Sequence, residues 1–232
     1  MTEEKQIGFG RLSGNQLKMI ALVAMTCDHV GKALLPRWEI LQILGRLAFP
    51  IFAYMIAEGC RYTKNRRAHL IKIAVLAFGC QVVYFAAEGS LYQCILVTFS
   101  LAIGMIYAID RGYQRRQILL PVVVAMGIWF VCVLLPVMLK GRTDFAVDYG
   151  IWGVLLPVLV YYVPQRYKLP AVGAALVPLC MELGGIQWWS FAALPLLGLY
   201  SGRRGRRNMK NVFFIYYPLH LAVIFLIGCL IH

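Results

Sequence analysis

Charge is scarce along this chain. Asp, Glu, Lys and Arg make up 14% of its 232 residues and hydrophobic residues 61%, where a soluble domain carries roughly 25% and 45 to 50% respectively. That deficit excludes a water-soluble globule. The apolar excess excludes disorder, and the lack of a strict repeat excludes collagen and coiled coil. Acid is scarcer still, with 10 Asp and Glu against 23 Lys and Arg and a net charge of +13. The seven cysteines, at 27, 60, 80, 94, 132, 180 and 229, all fall within apolar stretches and show no CxxC or Cys/His ligand spacing. Neither a disulfide framework nor a metal site is expected from them. A GxSxG elbow, a phosphate loop, an HExxH pair and a Rossmann fingerprint are missing too, which removes several common enzyme classes. No cleavable leader is expected, because residues 1 to 16 are polar and the first apolar run already carries Asp28 and His29.

What the chain does have is a series of apolar stretches, at about 17 to 35, 40 to 60, 69 to 87, 91 to 109, 118 to 139, 146 to 163, 169 to 186, 188 to 201 and 211 to 231. A spanning helix needs ~20 residues, so the expectation is an all-α, polytopic integral membrane bundle of about nine spans, within a range of eight to ten. Residues 1 to 16 form a polar tail, and 17 to 232 form a single transmembrane domain. Gly184, Gly185 and the Trp188-Trp189 pair leave the seventh and eighth stretches open between one broken segment and two short helices. Alternate loops differ in charge. One set (61 to 68, 110 to 117, 164 to 168, 202 to 210) holds 14 basic residues, and the other holds 3. This places the basic set and the N-terminus on the cytoplasmic side of the membrane and the C-terminus outside. Clusters such as Arg61, Lys64, Arg66 and Arg67, or Arg203, Arg204, Arg206, Arg207 and Lys210, lie between apolar runs. They fit topology and anionic headgroups, so membrane lipid is an expected partner and nucleic acid is not. Trp38, Tyr84, Tyr92, Tyr161, Tyr162, Trp188 and Trp189 fit an interfacial aromatic belt.

Ionisable groups inside spans cost at least ~2.5 kcal/mol each, so each is a functional candidate. The first span carries Lys18, Asp28 and His29. Lys18 and His29 share one helix face roughly 16 Å apart, with Lys18 at the cytoplasmic end. Asp28 is turned ~100° from His29 and is better placed to meet a neighbouring helix. In the antiparallel second span, Arg46 reaches the depth of Asp28, and Glu58 that of Lys18, so both pairings are open. Pro50 removes the helical bond to the Arg46 carbonyl and favours a bend there. The last span sets His220 near mid-membrane behind Tyr216, Tyr217 and Pro218, a segment expected to bend around a polar cavity. Asp148-Tyr149-Gly150 stands near the outer end of the sixth span, and Glu182 closes the seventh. His69 and His232 lie at membrane edges.

A buried histidine near a carboxylate and an arginine can serve as a general base towards an amine or hydroxyl, or accept an acyl group itself. The segments LKMIALVAMTCDHVGK, LGRLAFPIFAYMIAEGCRYT, DYGIWGVLLPVLVYY, LPLLGLYSGRRG and NVFFIYYPLHL together resemble the TraX family, in order and over most of the chain. That family is known for N-terminal acetylation of pilin. The Lys18 to His29 spacing also resembles the signature of the membrane acyltransferase-3 family. Both resemble a wider superfamily that includes heparan-alpha-glucosaminide N-acetyltransferase. The resemblance implies an acetyltransferase using cytoplasmic acetyl-CoA as acyl donor and a peptide N-terminus, glycan or small amine as acceptor. It makes His29 the catalytic residue and Asp28 its acidic neighbour. Lys18, Arg46, Glu58, Arg61 and Arg203 become donor contacts, and His220, Tyr216, Tyr217, Asp148 and Tyr149 line the acceptor side. The rival reading is a transporter or channel using the same buried His, Asp and Arg, and a membrane scaffold is a third.

Overall fold

Ser13 and Gln16 begin the first helix. In the computed structural model, which describes residues 10–205 and 210–231, the Gln16 N–H donates to Ser13 Oγ at 3.3 Å and the Ser13 N–H to Gln16 Oε1 at 2.8 Å. This capping box satisfies two amides that a helix start leaves open, so α1 (Gly14–Ala33) begins ahead of the apolar stretch expected from 17. The second stretch divides into α2 (Glu39–Gly45) and α3 (Ala48–Tyr62). The break falls on Arg46 and Leu47, where Pro50 has no N–H to offer the Arg46 carbonyl. The chain folds as two compact units. One comprises the sequence up to Met55 together with the part from Gly184 onward; the other is Ile56–Leu183.

In the second unit, α4 (Arg66–Glu88) is capped by Asn65, whose side-chain oxygen accepts the Ala68 N–H at 2.9 Å. Next, α5 (Ile95–Arg115) packs against α4, against α6 (Leu119–Trp129) and against α8 (Gly150–Tyr162). Its Ala102, Ile103 and Ile106 are wholly buried. Between α6 and α7 (Leu135–Leu139) the chain widens into a π turn, Phe130–Leu134. The turn lies just before Pro136, which cannot bond the Cys132 carbonyl in the α pattern. A 3₁₀ turn, Gln165–Tyr167, leads into α9 (Lys168–Leu183), which packs on α8.

Gly184 and Gly185 then take positive φ, 65° and 50°, a region open to glycine without strain. Beyond them lie a 3₁₀ segment, Gly185–Ala192, and α10 (Ala193–Gly198). The expected eighth span is therefore no single helix. The glycine pair separates α9 from the 3₁₀ segment and α10, and Gln187 and Ser190 are buried, 2% and 0% exposed. In the first unit, α11 (Lys210–Ile231) packs on α1. Among the described residues there is no strand, only the isolated bridges Leu12 to Tyr200 and Gln93 to Val147.

Among the described residues, four stretches are long and apolar enough to cross a membrane: Glu39–Tyr62, Arg66–Ala86, Ile95–Arg115 and Leu119–Leu139. Gly150–Tyr162 and Ile215–Leu230 are apolar but shorter. On α4 and on α6 to α7, large apolar side chains such as Val75, Phe78, Met126 and Val137 stand more than 60% exposed. Water does not tolerate a continuous surface of this kind, whereas hydrocarbon accepts it.

Candidate functional site

Close approach of two helices builds the first part of the site. A Cβ placed on Gly45 would lie 2.3 Å from the Asp28 Cβ and 2.7 Å from its Oδ1, so α2 can lie on α1 here only because residue 45 has no side chain. Asp28 thereby meets Arg46 in a direct ion pair, one of the pairings expected from helix depth. Both side chains are nearly enclosed, 13% and 11% exposed. The Asp28 carboxylate also takes Lys32 Nζ at 2.7 Å, one turn along α1. Arg46 donates further to the Gln42 carbonyl at 3.3 Å and to Gln187 Oε1 at 3.0 Å, and Gln187 Nε2 donates to Ser190 Oγ at 2.7 Å. Lys32, Gln187 and Ser190 were missed by sequence reasoning. The i,i+4 spacing from Asp28 could have found Lys32. Gln187 is uncharged, and only its position beside the glycine break marked it.

The second part is a cluster of rings between α1 and α11. His29 meets His220 edge-on with centroids 5.2 Å apart. Tyr216 stacks on His220 at 5.3 Å, and Tyr217 meets it edge-on at 5.4 Å. The Tyr216 hydroxyl lies 2.7 Å from Thr26 Oγ1, which also reaches the Leu22 carbonyl at 2.9 Å. His220 Nδ1 stands 3.0 Å from the Tyr216 carbonyl. A carbonyl can only accept, so Nδ1 donates and the neutral ring keeps its lone pair on Nε2. That Nε2 is buried with no hydrogen-bond partner among the described residues. His29, by contrast, is only partly buried. Asp28 is held by Arg46 and Lys32, and the ring contact of His29 is with another imidazole.

Lys18 lies further down α1, half-buried. Near the start of α1, the Gly14 N–H donates to the Arg203 carbonyl at 2.8 Å and the Asn15 N–H to that of Arg204 at 3.0 Å. These bonds fix the backbone of the basic loop against the helix start and leave the Arg203 side chain exposed. Arg206, Arg207, His232 and the side chain of Lys210 lie outside the described residues.

The remaining expected site residues belong to the second unit. Glu58 forms an ion pair with Lys168, the two being 4% and 1% exposed, a partner that sequence reasoning had counted as a loop cation. Arg61 donates to the Tyr161 carbonyl at 2.6 Å and lies over its ring. Nearby, the Asp110 carboxylate accepts Arg66 at 2.8 Å and the hydroxyls of Tyr161 and Tyr162 at 2.8 and 2.9 Å. His69 Nδ1 meets the Tyr107 hydroxyl at 2.8 Å. Asp148 accepts the Tyr92 hydroxyl at 2.8 Å, and its carbonyl takes Thr98 Oγ1 at 2.7 Å. Tyr149 follows in the left-handed region, φ 59°. In the loop before it, Asp144 is bonded by the Ser90 hydroxyl and the Leu91 N–H, which hold its carboxyl below the usual range. Among the described residues no three His, Cys, Asp or Glu side chains gather as metal ligands would.

The profile of a family described as TraX protein matches residues 13–228. A protein of Dichelobacter nodosus described as "Probable fimbrial assembly protein FimC, serogroup H1" is 26% identical over 250 residues, covering 91% of this chain and 94% of that protein. An uncharacterized protein of Rickettsia prowazekii (strain Madrid E) is 47% identical over 38 residues, only 16% of this chain and 15% of its own length. No solved structure matches.

Proposed function

The chain belongs to the TraX family, and from that premise we propose that it is an integral membrane acyltransferase, moving an acetyl group from cytoplasmic acetyl-CoA to an amine or hydroxyl acceptor. One observation carries the reading. Two histidines from opposite ends of the chain meet ring to ring on apolar helices, beside a clamped Asp28–Arg46 pair. Helices held only by packing have no use for that contact, since ionisable groups in a span are costly. The Lys18 to His29 face and the apolar helices support it further. In this reading the bundle has about nine spans, with a cytoplasmic N-terminus in a bacterial inner membrane. The name of the Dichelobacter nodosus relative favours a fimbrial polypeptide as acceptor.

His29 works at the donor end. It is the more accessible of the two imidazoles and lies on the face of α1 that runs from Lys18, roughly 16 Å along. Lys18 and the exposed Arg203 hold the donor's phosphates, and His29 meets the thioester. Arg46, its donors shared among Asp28, Gln187 and the Gln42 carbonyl, fixes α1 against α2. Glu58, Arg61 and Asp148 have partners of their own in the second unit, and neither they nor Tyr149 carry a step.

The test is thiol release from acetyl-CoA by the purified protein in nanodiscs, with peptide amines as acceptors. His29→Ala should lower it by roughly 10²-fold or more. Solute flux without thiol release would replace this reading with the transporter. If neither activity appears across a panel of peptide, glycan and small-amine acceptors, the scaffold is left.

A further inference from the structure

His220 is poorly explained by packing. An imidazole buried to 6% exposure among Tyr216, Tyr217 and His29 fills its space no better than a leucine would. It also brings a polar nitrogen that has to be satisfied. One nitrogen is satisfied, as Nδ1 donates to the Tyr216 carbonyl. That carbonyl lies four residues back along the same helix, so the bond survives any shift of α11 against α1, and it fixes the tautomer. Nε2 is left with its lone pair, buried and unmatched among the described residues. A buried acceptor without a donor costs stability, and such exceptions call for an explanation in function. Three rings surround the imidazole and restrict its rotation, so the lone pair is held ready for an incoming N–H or O–H.

We infer that His220 is the base that receives the acceptor's proton, through Nε2, while His29 serves the donor. The inference rests on the acyltransferase reading and adds a catalytic residue to it. In the transfer, the acceptor nitrogen forms a bond to the acyl carbon and the carbon–sulfur bond breaks. The nitrogen's proton passes to His220 Nε2. The thiolate leaves, the proton now on His220 Nε2 passes to the neighbouring His29 imidazole, and His29 gives up a proton to the thiolate. The products are an amide and a thiol, and both histidines return to their starting state. The Nδ1–H bond to the Tyr216 carbonyl supports the cation formed in passing, as an orienting acceptor does for an imidazole base. Since the Tyr216 hydroxyl is linked to Thr26 of α1, the segment that orients His220 is tied to the helix that carries His29.

Two variants separate base from packing. His220→Asn keeps a side-chain N–H near the Nδ1 position for the Tyr216 carbonyl and deletes Nε2. His220→Leu deletes both. With an ordinary primary amine, His220→Asn should lower kcat by roughly 10²-fold or more at unchanged KM for acetyl-CoA, and added imidazole should restore part of the rate. With hydroxylamine, a weakly basic acceptor that needs little help losing its proton, the same variant should stay close to wild type. Equal loss with both acceptors, or no loss with either, would overturn the inference while leaving acyl transfer itself intact. Absence of thiol release from the wild type would remove the function and this role together. Nitrogen-15 histidine spectra in nanodiscs, with the His220 signal assigned from its loss in His220→Asn, give a readout independent of turnover. They should show a bare Nε2, and an Nε2–H tautomer would overturn the role.

Discussion

Adding one methyl group at Gly45 tests whether the contact of α1 with α2 governs the site. The new Cβ of Gly45→Ala would sit 2.3 Å from the Asp28 Cβ, 2.7 Å from Oδ1 and 2.9 Å from its Cα. Carbon atoms rest at ~3.5 to 4.0 Å, so the two helices must part by on the order of 1 Å. Two of the three atoms met belong to the stem of Asp28, so no rotation of the carboxylate relieves the clash. Overpacking of this kind costs about 1 to 3 kcal/mol. The shift also pulls Asp28 off Arg46 and moves the turn of α1 that carries His29 relative to α2. Misplacement of a reacting group by ~1 Å costs roughly 10²-fold in rate. The assay pairs thermal unfolding in nanodiscs with acetyl-CoA thiol release. Gly79→Ala is the control, because nothing lies within 4 Å of its added Cβ. Gly45→Ala should melt clearly lower and lose about two orders of magnitude in rate, with Gly79→Ala unchanged. If Gly45→Ala kept both the melting temperature and the rate of wild type, the close approach of the helices would not be what fixes the site.

Three further outcomes follow from charges at defined places. Asp28→Asn leaves Arg46 and Lys32 without their carboxylate and should lower unfolding stability by about 3 kcal/mol; the Asp28→Asn, Arg46→Gln double variant should recover part of it in the same melts. In the second unit, Lys168→Met removes the cation paired with a buried Glu58 and should cost about 3 kcal/mol, whereas Lys168→Met with Glu58→Leu should recover part of it, and chemical denaturation of all three would show whether the two effects couple. At the exposed loop, the Asp144 carboxyl is held low by the Ser90 hydroxyl and the Leu91 N–H. Its contribution to stability is therefore present above the unfolded value of ~3.9 and is lost as pH falls through the lower folded value. Ser90→Ala should move the Asp144 titration, followed by carboxyl NMR, upward towards that ordinary value.

Local signals in the sequence located the breaks well. Pro50 marked the bend at Arg46, and the Gly184-Gly185 pair marked the end of α9. Both act on the backbone within a few residues, so they are readable without knowing any neighbour. The start of α1 was equally local: Ser13 and Gln16 stand at capping-box spacing, a cue that the apolar pattern from 17 overshadowed. Hydropathy was a weaker guide to the number of spans. It counts residues that could enter lipid, and the stretch from 188 to 201 is apolar enough to qualify, yet its first part belongs to a 3₁₀ segment in which Gln187 and Ser190 are buried while Trp188 and Trp189 stay exposed.

For the charged residues, the limit was set by what a neighbouring helix supplies. Lys168 and Asp110 fall where apolar runs end, and there a solvated side chain and a paired one have the same local sequence. Only the fold shows that Lys168 reaches Glu58 and that Asp110 gathers Arg66 with two tyrosine hydroxyls. Asp28 and Arg46 were legible as a pair because both lie deep inside apolar runs, where an unpaired charge is too costly to stand alone. Histidine escapes that rule. A neutral imidazole can be buried at modest cost, so nothing in the sequence demanded that His29 and His220 meet. Their contact depends on α11 packing against α1, a pairing between the two ends of the chain that no periodicity encodes. The sequence could mark each ring as unusual, but the division of labour between a partly open His29 and an enclosed His220 exists only once the Tyr216 carbonyl has taken one nitrogen and left the other.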